Sequence, residues 1–189
     1  RAGSYFALGL AKATSKPVVL ICTSGTAAAN YHPAVVEAFY SGVPLIIISA
    51  DRPPELQNRG APQTIDQIEL YGNHVRGFFQ SAVPSESTQE NAIALAAEAL
   101  KQSLKPVPGP VHINCPFREP LEPSDVPFVP FEADNLAEIS RETDVSEFKK
   151  FLKHEKGLIV VGPMETDSST RNQISELSNI TGWPVVADP

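Results

Sequence analysis

The 189-residue sequence has only two cysteines, Cys22 and Cys115. Each sits in a strand-like run, which reads as a buried, reduced thiol of an intracellular protein rather than as a disulfide or a reactive nucleophile. The longest apolar stretch, Pro44 to Ala50, is strand-sized. It falls well short of the about 18 apolar residues a membrane helix needs, so no integral membrane segment is expected. The four histidines, His32, His74, His112 and His154, are scattered without metal-ligand spacing. Neither a phosphate-binding Gly-x-x-x-x-Gly-Lys-Ser/Thr loop nor a Gly-x-Gly-x-x-Gly dinucleotide fingerprint is present. A formal charge of −7 excludes a general nucleic-acid binder, and leaves any anionic substrate to locally placed arginines. Initiator methionine and signal peptide are both absent from a chain that opens on Arg1 and closes on an apolar run that has just begun. The expectation is a piece of a longer protein.

What is present is α/β patterning. A helix-like pattern without an N-terminal cap opens the chain and contains Tyr5, Phe6, Leu8 and Leu10. Pro17 to Cys22 is a run without polar alternation, expected to be a strand covered on both faces. Ala27 to Tyr40 follows as a helix with one irregularity, Pro33, and Gly42 suits a left-handed cap. "VPLIIISADRP" supplies the next buried strand and completes a βαβ unit. Thr88 to Leu104 is the clearest helix, and Val111 to Cys115 another strand. Prolines at 116, 120, 123, 127 and 130 then mark an extended linker. Beyond it the pattern restarts with helices at Val145–His154 and Asp167–Ile180, and strands in "GLIVVGP" and Trp183–Ala187. The fold class expected is α/β: a doubly wound parallel sheet, then the truncated start of a second Rossmann-like α/β domain. The domains are drawn at 1–120, a linker at 121–144, and 145–189.

In such sheets ligands bind beyond the carboxyl ends of the strands. Two loops leave strand ends here: Thr23-Ser24-Gly25-Thr26 and Ser49-Ala50-Asp51-Arg52-Pro53-Pro54. The first puts hydroxyls and a glycine at a helix start, where it either caps the helix or contacts a ligand. In the second, Arg52 can fork onto a carboxylate or pair on the surface with Asp51. Gln63, in "RGAPQTIDQ", can offer its amide to a ligand or satisfy loop backbone.

"ALGLAKA", "CTSGTAAAN", "PAVVEA", "PLIIISADRPPEL", "GAPQTIDQ" and "GPVHINCPFREPL" occur in this order. Together they resemble the 2-succinyl-5-enolpyruvyl-6-hydroxy-3-cyclohexene-1-carboxylate (SEPHCHC) synthase family of menaquinone and phylloquinone synthesis. "TSGTAAAN" alone is shared loosely with acetolactate synthases. The resemblance implies a pyrimidine-binding domain of a thiamine-diphosphate enzyme that decarboxylates 2-oxoglutarate and adds the succinyl unit to isochorismate. It implies cofactor contacts at Thr23, Ser24, Gly25 and Thr26, and substrate contacts at Arg52 and Gln63. Where some relatives have Asn before that glutamine, this chain has Pro62. The family's catalytic Glu would stand just before Arg1, and its Gly-Asp-Gly Mg²⁺ motif is not in the sequence. The catalytic and metal sites are therefore expected outside this chain, and the chain alone is expected to be inactive. A homodimer or homotetramer is implied, in bacterial cytoplasm or plastid stroma. An acetolactate-synthase-like carboligase and a non-catalytic module of the same fold are the alternatives.

Overall fold

The computed structural model describes residues 1–85, 88–122, 145–146, 148–162, 164 and 167–187. The chain divides into two compact units, residues 1–132 and 133–189. The first holds a four-stranded, wholly parallel sheet: β1 (Val18–Cys22), β2 (Leu45–Asp51), β3 (Gly77–Gln80) and β4 (Val111–Pro116), in the order β1-β2-β4-β3. Helices cover both faces, so the fold is α/β as expected.

Side-chain alternation divides the sheet cleanly. Leu45 and Ile47 of β2, with Leu20 of β1, pack on Ala7, Leu8 and Ala11 of α1 (Ala2–Thr14). They also meet Val35 and Ala38 of the helix His32–Tyr40. On the other face Ile46, Val111 and Ile113 pack on Ala99 of the helix Gln89–Leu104, with Leu95, Leu100 and Phe79 at the margin.

Several expectations change. β1 is not covered on both faces: Val19 and Ile21 are 50% and 71% exposed. β1 is an edge strand, and the helix Gln89–Leu104 packs chiefly on β2, β3 and β4. The helix expected over Ala27–Tyr40 is two, α2 (Thr26–Ala29) and α3 (His32–Tyr40), with the break at Asn30-Tyr31. Pro33 has no N–H to give, so it sits in the first turn of a new helix instead of inside a long one. Gly42 has φ +65°, the left-handed geometry expected after that helix. β3, from "GFFQ", was not anticipated. The helix Gln89–Leu104 is α4.

In the second unit, β5 (Ile159–Val161) and β6 (Val185–Ala187) pair in parallel around α6 (Ser168–Thr181). Asp167 caps α6 by accepting the Thr170 N–H at 2.7 Å. The helix expected at Val145–His154 is one turn, α5 (Phe148–Phe151). None of the described residues of this unit is buried. Most of the expected linker, residues 123–144 with Pro123, Pro127 and Pro130, lies outside the described residues.

Candidate functional site

The chain leaving the carboxyl ends of β1 and β2 carries the candidate residues. After β1 the chain turns at Gly25 with φ +79° and ψ −145°, a region open essentially to glycine alone. A Cβ at Gly25 would also come within 3.1 Å of Gln63. Neither Ser24 nor Thr26 caps α2, since no side-chain cap bond is made there.

Ser24 and Gly25 are instead used internally. Ser24 is 4% exposed, and its Oγ donates to the Gln63 carbonyl at 2.9 Å. The Gly25 N–H donates to Gln67 Oε1 at 2.6 Å. Gln63 Nε2 donates to Thr23 Oγ1 at 2.9 Å and to the Ser24 carbonyl at 3.1 Å. Four residues further on from Gln67, the buried Tyr71 donates its hydroxyl to the Ala28 carbonyl at 2.8 Å. Thus Gln63, Gln67 and Tyr71 grip the loop and α2 at successive points. Thr23 and Thr26 are the exposed residues of the loop, with Thr23 Oγ1 accepting from Gln63.

Arg52 follows β2. Its neighbour Asp51 is 6% exposed, but the guanidinium does not pair with it. The Asp51 carboxylate accepts from the Arg52 N–H (2.7 Å), Gln57 Nε2 (3.1 Å) and Asn114 Nδ2 (2.8 Å). The half-buried Arg52 gives its Nε to the Pro62 carbonyl at 3.4 Å. No carboxylate among the described residues pairs with it, so its fork keeps donors for an anionic group. Pro62, without a side-chain amide, contributes its carbonyl. The structure therefore ties Thr23, Ser24 and Gln63 together by hydrogen bonds. Gly25 is held by Gln67, Arg52 is held by Pro62 beside Gln63, and Thr26 follows Gly25 in the loop.

Beneath it lies a polar ladder that the sequence did not single out. Ser49, Asp51, His112 and Asn114 project from one sheet face, in register as Ile47↔His112, Ser49↔Asn114 and Asp51↔Pro116. Ser49 Oγ lies 2.7 Å from His112 Nε2 and 2.8 Å from Asn114 Oδ1. Asn114 Oδ1 also receives Gln67 Nε2 at 2.8 Å, and Asn114 Nδ2 reaches Gln80 Oε1 at 3.0 Å. His112 is fully buried against the rings of Tyr71 and Phe78. Burial there pushes its pKa down to about 4, so it is neutral at physiological pH. The only hint in the sequence was polar residues two apart inside apolar runs, "IISAD" and "VHINC".

The thiols are unpaired and half-buried, and burial pushes Cys22 up to about 11 and raises Cys115. Neither is poised as a nucleophile. Among the described residues no group of three His, Cys, Asp or Glu side chains could hold a metal ion, and no helix is long and apolar enough to cross a membrane.

Residues 1–70 match the family model described as "Thiamine pyrophosphate enzyme, N-terminal TPP binding domain". Over its full length the chain is 43% identical to the SEPHCHC synthase of Listeria innocua and 42% identical to that of Geobacillus kaustophilus. It is 44% identical to that of the archaeon Haloarcula marismortui. It covers 34%, 35% and 36% of these relatives, so it spans about a third of the length of the curated relatives it matches. Benzoylformate decarboxylase from Polynucleobacter necessarius shares the fold, with a TM-score of 0.69 at 19% identity over 98% of this chain and 34% of that one.

Proposed function

We infer that this chain, which resembles a third of a SEPHCHC synthase and opens with a thiamine-pyrophosphate-enzyme N-terminal domain, forms the pyrimidine side of a thiamine diphosphate site. The observation that carries the reading is the stitched loop cluster at the strand ends. Its donor chemistry fits a heteroaromatic ring edge: the hydroxyl residues Thr23 and Thr26 are exposed, on a loop whose shape Ser24 and Gly25 maintain from within. Thr23 and Thr26 would touch the cofactor directly, while Ser24 and Gly25 would act through loop geometry.

When bound, thiamine diphosphate supplies the electron sink for decarboxylating a 2-oxo acid and for forming the new carbon–carbon bond. The chain's own part is to bind and orient. Arg52 would hold a carboxylate of 2-oxoglutarate through its free guanidinium donors. Gln63 has both protons of its amide nitrogen committed to the loop and would present Oε1 to the second substrate, isochorismate. The catalytic carboxylate, the Mg²⁺ site and the opposing wall of the site would come from chain beyond these residues, in a homodimer or homotetramer. The chain by itself would then be inactive. The product would enter menaquinone or phylloquinone synthesis, in cytoplasm or plastid stroma.

The test is turnover by the full-length parent protein with 2-oxoglutarate plus isochorismate, against pyruvate alone. Carbon dioxide release and adduct formation with the first pair are expected. Activity with pyruvate alone would assign the chain to an acetolactate-synthase-like carboligase. No activity with any 2-oxo acid, together with no cofactor binding, would point to a non-catalytic module.

A further inference from the structure

The polar ladder ends on the cofactor-side loop, and its orientation is determined at every link. The Gly25 N–H can only donate and the Ala50 carbonyl can only accept. Gln67 therefore turns Oε1 to the first, at 2.6 Å, and Nε2 to the second, at 3.0 Å. The remaining Nε2 proton goes to Asn114 Oδ1, and Asn114 Nδ2 goes to the acceptor-only Asp51 carboxylate. Asn114 Oδ1 also takes the single proton of the Ser49 hydroxyl, at 2.8 Å. Ser49 Oγ must then accept from His112 Nε2–H, which fixes the tautomer and leaves Nδ1 with a lone pair and no partner. Gln67 is 1% exposed, and Ser49, His112 and Asn114 are fully buried. A buried network with each amide locked in one direction specifies geometry more than it adds stability.

We propose that Gln67 is a positioning residue for the Thr23–Thr26 loop, aligning it for the cofactor through the Gly25 N–H while Asn114 and Ser49 hold Gln67 in one amide orientation. This rests on the thiamine diphosphate reading above. Gln67 makes no contact with the cofactor in this scheme. It sets the backbone at Gly25, and so the places of the flanking Thr23 and Thr26 hydroxyls. Only the polar end of the sheet is wired this way. The opposite face, around Ile113 and Ala99, is an apolar cluster.

The experiment measures the dissociation constant for thiamine diphosphate by calorimetry, and the KM for 2-oxoglutarate, in the full-length parent. Gln67→Met keeps the volume and removes every hydrogen bond of the amide. Its cofactor affinity is expected to fall about tenfold, the usual scale for stranding buried polar partners, with little change in the 2-oxoglutarate KM. Ser49→Ala is the milder arm, removing one link and weakening cofactor binding about threefold. Ile113→Val supplies a core defect of comparable stability cost on the other face, and cofactor affinity is expected to hold. Unchanged affinity in Gln67→Met overturns the proposal, as does an equal loss in Ile113→Val. Should Gln67→Met not fold, unchanged affinity in Ser49→Ala overturns it instead. A wild-type protein that binds no thiamine diphosphate defeats the underlying reading as well, which distinguishes the two failures.

Discussion

The two faces of the four-stranded sheet are built from the same strands but serve different ends. On the α4 side, Ile46, Ile48, Val111 and Ile113 form an apolar cluster with Ala99. On the other side the strands begin apolar, with Leu45 and Ile47, and turn polar toward their carboxyl ends through Ser49, Asp51, His112 and Asn114. The first face gains free energy by removing surface from water. On the second face Leu45 and Ile47 gain free energy in the same way against α1 and α3. Its polar carboxyl-end part spends hydrogen bonds that water would have supplied anyway, so that part's net contribution to stability is small, while each bond fixes a direction. Positioning is thus confined to the polar carboxyl end of one face, while apolar packing on both faces supplies stability, and single substitutions can separate the two.

The sharpest break comes from a mirrored pair. Ile113→Ala removes a buried side chain from the apolar face, and its stability cost is expected at about 2–5 kcal/mol in urea unfolding. At temperatures where it remains folded, its substrate constants should match the wild type. Arg52→Ala in the full-length parent should do the reverse. It should weaken 2-oxoglutarate use by roughly 2–5 kcal/mol in kcat/KM, the range for removing one partner of a desolvated charge pair, with the unfolding midpoint nearly unmoved. If kcat/KM for both substrates is unchanged, Arg52 only ties its loop to Pro62. If Ile113→Ala alters substrate constants, the faces are not independent.

Next in size is a pH effect from the ladder. His112 is buried neutral, its pKa lowered from 6.5 to about 4 by desolvation. The unfolded chain therefore binds a proton that the folded chain refuses. Stability is full above about pH 6.5, declines as pH falls, and levels off below about 4, a loss of about 3 kcal/mol. His112→Phe should flatten that slope even if it lowers stability overall. Equal slopes in the two proteins would show that His112 carries no proton linkage.

The first βαβ unit and the loops at its strand ends were legible because periodicity and turn chemistry are local. The ladder was not. Whether Ser49, His112 and Asn114 share a face depends on pairing β2 with β4, more than sixty residues apart, and nothing local encodes that register. The exposed side of β1 escaped for a similar reason. "VVLIC" reads the same at a sheet centre and at an edge, and only strand order distinguishes them. β3 was missed because "GFFQ" is four residues long and too short to show alternation. Among the site residues, the sequence offered the Thr23–Thr26 loop as either a helix cap or a ligand cradle. It could not show that Ser24 and Gly25 are bound to residues 39 and 42 positions away.

A smaller effect tests whether the loop is held by conformation as well as by hydrogen bonds. Gly25→Ala places a Cβ at φ +79° and presses it on Gln63, with an expected cost of about 2 kcal/mol. Adding Gln63→Gly removes the Cγ contact but leaves the residue 63 carbonyl 3.1 Å from the new Cβ and the backbone strain in place, so only a small part of the loss should be recovered. Full recovery in the double variant would mean that contact with the Gln63 side chain, not the turn, demands glycine at this place.

The smallest effect belongs to the exposed ion pair at the same end of the sheet. Arg118, after β4, reaches Glu55 in the short 3₁₀ turn after β2, with Nη2 3.0 Å from Oε2. The pair joins two of the loops that frame the site, so its geometry alone would suggest a clamp. Exposure argues otherwise, because water and salt screen both charges and two long side chains must be ordered to meet. Arg118 holds the Glu55 carboxyl down to about 2, so whatever the pair contributes is present above the ordinary carboxylate range and lost as pH falls through about 2. Arg118→Gln should return the Glu55 titration, followed by NMR, toward its usual value while the unfolding midpoint at pH 7 stays put. A fall in midpoint as large as that of Gly25→Ala would make the ion pair a genuine brace. Positioning at this end of the sheet would then depend on surface charge as much as on the buried ladder.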